Sequence, residues 1–317
     1  MKIIFFGTSE FAVAPLKALV KAKYDIAAVV TQPDRPAGRK QEPLPSPVKL
    51  AALKLGLKIF QPEILEIVSL REIFTKNWKL KIPEADLYIA VSYGQIIPND
   101  ILNLPPFGIL NLHPSLLPKY RGASPIHAAI LSGDAETGVS IIKLDEKLDH
   151  GPIITTRNLK MSKLYYKDLH DKLAELGSEL LIHTLPDYIS GKIKPSPQDD
   201  SKATFTKRIT KDDGRINWHK SAEEIDRMIR AYHLWPVAWT TMDGKRLKIF
   251  ESAVLPFSPG EGRSWKRGRI VVEGHKLQIA TGAGALEILL LQLEGSRPLP
   301  TRDFVNGNPS LSGKILL

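Results

Sequence analysis

The sequence predicts an α/β protein: a parallel sheet with helices on both faces fills the first part of the chain, and a smaller β-rich domain follows. Three observations predict it. Short apolar runs alternate with amphipathic stretches through the first half, as repeated strand–helix–strand units require. One long amphipathic helix over residues 165–189 then leads into a polar, aperiodic segment. Beyond that segment the pattern changes to short strand-like runs separated by Gly and Pro. These shifts place a first domain at 1–189, a linker at 190–207 and a second domain at 208–317.

The elements follow in order. Residues 3–6, Ile3-Ile4-Phe5-Phe6, read as a strand buried on both faces. Residues 11–23 read as a helix with Phe11, Leu16, Leu19 and Val20 on one broad face. Strands are expected at 26–30, 57–60, 87–91, 108–113 and 139–144, with helices at 48–55 and, behind Pro125, at 126–131. The helix at 165–189 carries an apolar stripe of Leu169, Leu173, Leu176 and Leu180. The linker contains Pro195, Pro197, Asp199 and Asp200 and no periodicity. A short helix at 222–231 precedes strands at 237–242, 247–254, 268–272, 277–280 and 285–293, with turns such as Asp243-Gly244 between them. Such spacing suits a small barrel or sandwich.

Composition narrows the function classes. With 317 residues, 43% of them hydrophobic, the chain can bury two cores. No apolar run is long enough to span a bilayer. Only four apolar residues precede Gly7, too few for a secretory signal, so a cytoplasmic protein is expected. The absence of cysteine excludes disulfides, thiolate nucleophiles and cysteine-ligated metals. The eight histidines form no closely spaced pair, so no metal is expected. A net charge of +10 suits a polyanionic partner such as RNA, and the second domain is the more basic per residue. The turn Gly7-Thr8-Ser9-Glu10 lacks the G-x-G-x-x-G fingerprint and sets a carboxylate where a pyrophosphate would sit, which disfavours a nucleotide-dependent oxidoreductase.

Ligands of parallel sheets gather beyond the C-terminal ends of the strands. There the stretch Asn111-Leu112-His113-Pro114-Ser115-Leu116-Leu117-Pro118-Lys119-Tyr120-Arg121-Gly122 follows an apolar strand. Alternation puts Asn111 and His113 on one side. Ser115, Leu116 and Leu117 offer backbone donors and apolar walls suited to a flat heteroaromatic ligand. A second polar segment, from Asp145 to Pro152, follows the strand at 139–144 and can bring a carboxylate to His113. An amide, an imidazole and a carboxylate together suit acyl transfer. The first two can donate to an oxyanion, and the third can orient the imidazole and favour its cationic form. No G-x-S-x-G nucleophile is present, so the attacking group belongs to the substrate.

These residues resemble the folate-dependent formyltransferases. Residues 111–122 match that family's N-x-H-x-S-L-L-P-x-x-R/K-G signature, and Asp149-His150-Gly151 lies where the family usually has D-T-G. The opening from Ile3 to Phe11, the stretch from Thr31 to Arg39 continuing through Pro45-Ser46-Pro47-Val48-Lys49, Gly214-Arg215-Ile216-Asn217-Trp218 and Trp235-Pro236 are most similar to members that formylate methionyl-tRNA. The resemblance implies a Rossmann-like N-terminal domain and an OB-like β-barrel that holds tRNA. It implies 10-formyltetrahydrofolate as co-substrate, initiator methionyl-tRNA as acceptor, and a monomer. Asn111, His113 and Asp149 would be catalytic, and Ser115, Leu116, Leu117 and Pro118 would line the tetrahydrofolate site. Arg35, Arg39, Lys40 and Lys49 would meet the tRNA from a Pro-rich loop. His150 and Lys147 depart from the family's usual Thr and Gly. Two other readings stay open at this level: formylation of a small amine such as glycinamide ribonucleotide or an amino-sugar nucleotide, and RNA binding without catalysis.

Overall fold

The computed structural model describes residues 1–37, 41–63, 65, 85–255 and 266–317. The chain divides into two compact units: Met1–Pro125, Glu136–Lys160 and His170–Thr206 in the first; Ile126–Ala135, Met161–Leu169 and Lys207–Leu317 in the second.

In chain order the first elements are β1 (Lys2–Gly7), α1 (Val13–Lys21), β2 (Asp25–Val30), β3 (Arg35–Ala37), β4 (Glu42–Leu44), α2 (Pro47–Lys54), β5 (Ile59–Phe60) and β6 (Leu87–Val91). Then come α3 (Asn99–Leu102), β7 (Ile109–His113), β8 (Arg121–Gly122), α4 (Pro125–Ser132), β9 (Glu136–Lys143), β10 (Ile153–Lys160), α5 (Tyr166–Ile189) and β11 (Phe205–Thr206). Seven of these strands form one sheet in the order β10-β9-β7-β6-β1-β2-β5. Pairing is parallel from β7 through β6, β1 and β2 to β5.

The expected parallel sheet therefore holds over five strands, and the structure adds an antiparallel edge: β9 runs against β7, and β10 against β9. β10 leaves no apolar run in the sequence because its exposed face is polar (Thr156, Asn158, Lys160).

Apolar runs became strands wherever both faces are covered. Ile4, Phe6, Ala28, Val30, Tyr88, Ala90 and Ile109 form one core cluster, with Tyr93 edge-on to Phe6 at 5.5 Å between ring centroids. Helix α5 lies close on the sheet. At Gly177 a Cβ would stand 2.8 Å from Leu112 Cδ2, so any larger residue would push the Leu112 side chain aside. Leu169, Leu173 and Leu180 of its predicted stripe are buried.

The second unit contains α6 (Ala222–Ala231), β12 (Ala238–Met242), β13 (Lys245–Leu255), β14 (Ile270–Glu273), β15 (Lys276–Ala280), β16 (Ala285–Leu293), β17 (Leu299–Pro300) and α7 (Thr301–Asn306). Its antiparallel sheet runs β12-β13-β16-β15-β14, with β17 on β16. Asp243 and Gly244, at φ 51° and 77°, make the two-residue turn that joins β12 to β13. Among the described residues β12 and β14 do not pair with each other, so the expected barrel is not closed by its strands. The end of the chain bonds both edges instead. Thr241 and Leu317 exchange backbone hydrogen bonds at 3.0 and 3.1 Å, and Leu316 N donates to Gly268 O at 2.9 Å beside β14. Helix α6 starts in a capping box of Ser221 and Glu224, and its buried Asp226–Arg230 pair, 2.8 Å apart, is tied to β13 by Ser252. No helix among the described residues is long and apolar enough to cross a membrane.

Candidate active site

Asn111 and His113 stand two residues apart on β7, which puts both side chains on one face. The carboxylate arrives from the loop after β9. Because β9 is antiparallel, that loop leaves beside the start of β7, where Leu144 N donates to Ile109 O at 2.8 Å. It then folds back and closes on itself, with Lys143 N donating to Pro152 O at 3.0 Å. Gly151 makes the closure possible, since a Cβ there would lie 1.8 Å from Lys143 O. Asp149 adopts φ 49°, a left-handed conformation that non-glycine residues seldom take, and this turns its carboxylate inward.

One carboxylate oxygen of Asp149 is fixed: Gly122 N donates to Oδ2 at 2.8 Å. The other, Oδ1, lies 3.5 Å from Asn111 Nδ2 and 3.6 Å from His113 Nδ1. The three sequence-predicted catalytic side chains therefore surround one point without closing tightly on each other. Asp149 is 9% exposed and His113 5%, so little water screens the charge between them. On its other side His113 Nε2 meets the carbonyl of Tyr120 at 3.0 Å. A carbonyl only accepts, so Nε2 carries the proton and Nδ1 is the nitrogen turned to Asp149. Protonated, Nδ1 faces the carboxylate favourably and can donate to an oxygen placed among the three groups.

The adjoining segment is stiff. Ser115 is fully buried and its hydroxyl donates to Lys119 O at 2.6 Å. Ser140, facing it from β9, accepts from Leu117 N at 3.0 Å and donates to Ser115 O at 2.7 Å. Pro118 O accepts from Thr204 N at 3.3 Å. The side chain of Ser115 thus holds the loop, and what the segment can present to a ligand is backbone together with half-buried Leu116 and Pro118. Leu117 is buried.

Several neighbours of the site carry no assigned role from the sequence. Arg121, buried, donates to Gln198 Oε1 through Nε at 3.1 Å and Nη2 at 2.8 Å, and to Asp200 Oδ1 at 2.7 Å. His150 lies between Asp145 Oδ2 at 2.6 Å and Asp200 Oδ2 at 3.3 Å. The Asp200 carboxyl is held below its ordinary range, chiefly by the Arg121 hydrogen bond and further by the His150 and Arg121 charges, against an opposing effect of desolvation. Gln198 and Asp200 belong to the segment read as a linker, whose β11 pairs in parallel with β8. Ser140 carries one readable signal, a hydroxyl inside the apolar run Val139–Ile142.

The predicted tRNA-contacting cations are differently placed. Arg35 reaches Glu63 at 2.9 Å, both side chains exposed. Lys49 pairs with Asp34 at 2.7 Å, and Gln61 joins the same carboxylate at 2.7 Å. The Lys49 and Gln61 hydrogen bonds hold the Asp34 carboxyl below its ordinary range. Arg39 and Lys40 lie outside the described residues.

Comparison with known proteins identifies the family. The family description "Formyl transferase" matches residues 1–185, and "Formyl transferase, C-terminal domain" matches residues 208–309. The methionyl-tRNA formyltransferase of Methylococcus capsulatus is 42% identical over 317 residues, covering 100% of this chain and 99% of that protein. That of Listeria monocytogenes HCC23 is 42% identical over 308 residues, covering 96% and 95%. Among solved structures, HypX from Aquifex aeolicus in complex with tetrahydrofolic acid superposes with a TM-score of 0.65 at 18% identity, over 98% of this chain and 48% of that one. An N-formyltransferase from Helicobacter canadensis, in complex with folinic acid and dTDP-3-aminofucose, gives 0.65 at 19% identity over 91% and 98%. The solved structures share the fold, and the full-length relatives carry the assignment: the chain belongs to the formyl transferase family, among the methionyl-tRNA formyltransferases.

Proposed function

We propose that this enzyme transfers the formyl group of 10-formyltetrahydrofolate to the free amino group of initiator methionyl-tRNA. The observation that carries the reading is the convergence of Asn111, His113 and Asp149 on one buried point, in a chain 42% identical along its whole length to a methionyl-tRNA formyltransferase. The amine lone pair forms a bond to the formyl carbon, and the carbonyl electrons move onto oxygen. Asn111 Nδ2 and His113 Nδ1 donate to that oxyanion, each such donor lowering the barrier by about 2.7–4 kcal/mol. Asp149, its Oδ1 3.6 Å from His113 Nδ1, keeps the imidazole oriented. Collapse of the intermediate breaks the carbon–N10 bond, and a proton passes from the amine to N10.

Ser115, Leu116, Leu117 and Pro118 line the folate subsite in this reading, supported by the rigid 115–119 turn and by the tetrahydrofolic acid complex of the HypX neighbour. The segment carrying Arg35, Arg39, Lys40 and Lys49 approaches the acceptor end of the tRNA, supported by its cations and by the β3–β4 pairing, in which Arg35 stands. Residues 1–189 and 208–317 act as catalytic and tRNA-binding domains joined through 190–207, the second an OB-like barrel whose edges are joined by the chain end. A cytoplasmic monomer that uses no metal completes the proposal. The test is formylation of charged tRNA with 10-formyltetrahydrofolate: product on the initiator and not on elongator methionyl-tRNA supports the reading. RNA binding without turnover contradicts it.

A further inference from the structure

The segment at 190–207 carries a side chain whose whole hydrogen-bonding capacity is spent on the catalytic loop and on Arg121. Gln198 Nε2 donates to Asp149 O at 2.8 Å and to Gly151 O at 2.8 Å. Its Oε1 accepts from Nε and Nη2 of Arg121 at 3.1 and 2.8 Å. An amide has two N–H donors and two acceptor lone pairs, so all four are used. Rotation of the amide by half a turn would set its oxygen against two carbonyls and its NH2 against a guanidinium, so the partners fix its orientation. Arg121 is itself anchored, only 3% exposed and balanced by Asp200 at 2.7 Å.

The two carbonyls that Gln198 grips flank His150, and the first belongs to Asp149 at φ 49°. A left-handed non-glycine residue persists only where its surroundings over-determine it. Gly122 N holds the Asp149 side chain, and Gln198 holds the Asp149 backbone.

We propose that Gln198 is a positioning residue for the transfer reaction: braced by Arg121, it fixes the Asp149–Gly151 backbone so that Asp149 Oδ1 stays aimed at Asn111 and His113. This rests on the reading that Asp149 serves catalysis. Gln198 touches no reacting atom, and its effect passes through Asp149.

The experiment is a double-mutant cycle on the full chain, with 10-formyltetrahydrofolate and charged initiator tRNA as substrates. Gln198→Glu keeps a partner for Arg121 but removes both donors and faces two carbonyls with a carboxylate. Gln198→Met removes the donors at equal length and carries the same prediction should the first variant fold poorly. The expected result is a kcat lower by roughly 10–100-fold, as small misplacements near a reacting centre produce. Each KM should stay within about twofold, and in the Asp149→Asn background the same substitution should add no further loss. An equal loss of kcat in both backgrounds overturns the proposal, because Gln198 would then act independently of Asp149. Unchanged kcat on Gln198 substitution, where Asp149→Asn is slow, also overturns it while leaving the catalytic reading intact. Unchanged kcat in Asp149→Asn alone defeats the catalytic reading itself.

Discussion

At the scale of residues the site has few redundant contacts. Asn111 offers an amide donor beside that of His113, so Asn111→Ala should lower kcat by about 10²–10³-fold, the usual consequence of losing an oxyanion donor. Near-wild-type turnover would remove it from the mechanism. Ser140 works indirectly, joining Leu117 N to Ser115 O. Ser140→Ala leaves a buried donor unsatisfied, and denaturant unfolding should record a loss of about 1–3 kcal/mol. Asn111 and His113 were legible because an amide and an imidazole at alternate positions close an apolar strand. Asp149 was legible from the acidic loop after the next strand. Tyr120, Gly122 and Gln198 were not, because their contribution passes through backbone groups or reaches across distant segments, and neither leaves a local pattern.

At the scale of elements, the loop after β9 decides the geometry. Its fold-back depends on Gly151, where a methyl group would meet Lys143 O at 1.8 Å. Gly151→Ala should therefore displace Asp149, lowering kcat well beyond any change in KM, measured by steady-state formylation. The β3–β4 region is held differently. Asp34, paired with Lys49, titrates below its ordinary range, so the stabilisation from this pair is complete above the unfolded-state carboxylate pKa. It is lost as pH falls through the lower, folded-state value. Carboxyl chemical shifts of Asp34 followed with pH should show that low midpoint, and Lys49→Ala should raise it. Continuous apolar strands such as Ile3–Phe6 and 87–91 declared themselves, since burial on both faces requires them. Strand direction did not: nothing in 139–144 says that β9 runs antiparallel. The two-residue strands β8 and β11 are too short for any period.

At the scale of the whole molecule, the chain joins a mostly parallel sheet with its helices to a β-rich unit and carries a net charge of +10. The change from strand–helix alternation to short strands made that division legible. The closing role of the chain end was not legible, because four terminal residues carry no periodicity. Removing Leu316 and Leu317 should destabilise the second unit, because Thr241 and Gly268 lose their backbone partners, and thermal unfolding would record it as an earlier transition. Neutralising phosphates with Lys and Arg makes affinity fall with salt, so the apparent KM for tRNA should rise steeply with ionic strength while that for folate changes little.

The most direct test of the central claim compares the wild-type chain with Asp149→Asn in single-turnover formylation of initiator methionyl-tRNA. The variant should fold and still bind both substrates yet transfer formyl groups far more slowly. Transfer at the wild-type rate would contradict the claim, since the carboxylate that gathers Asn111 and His113 would then have no part in the chemistry.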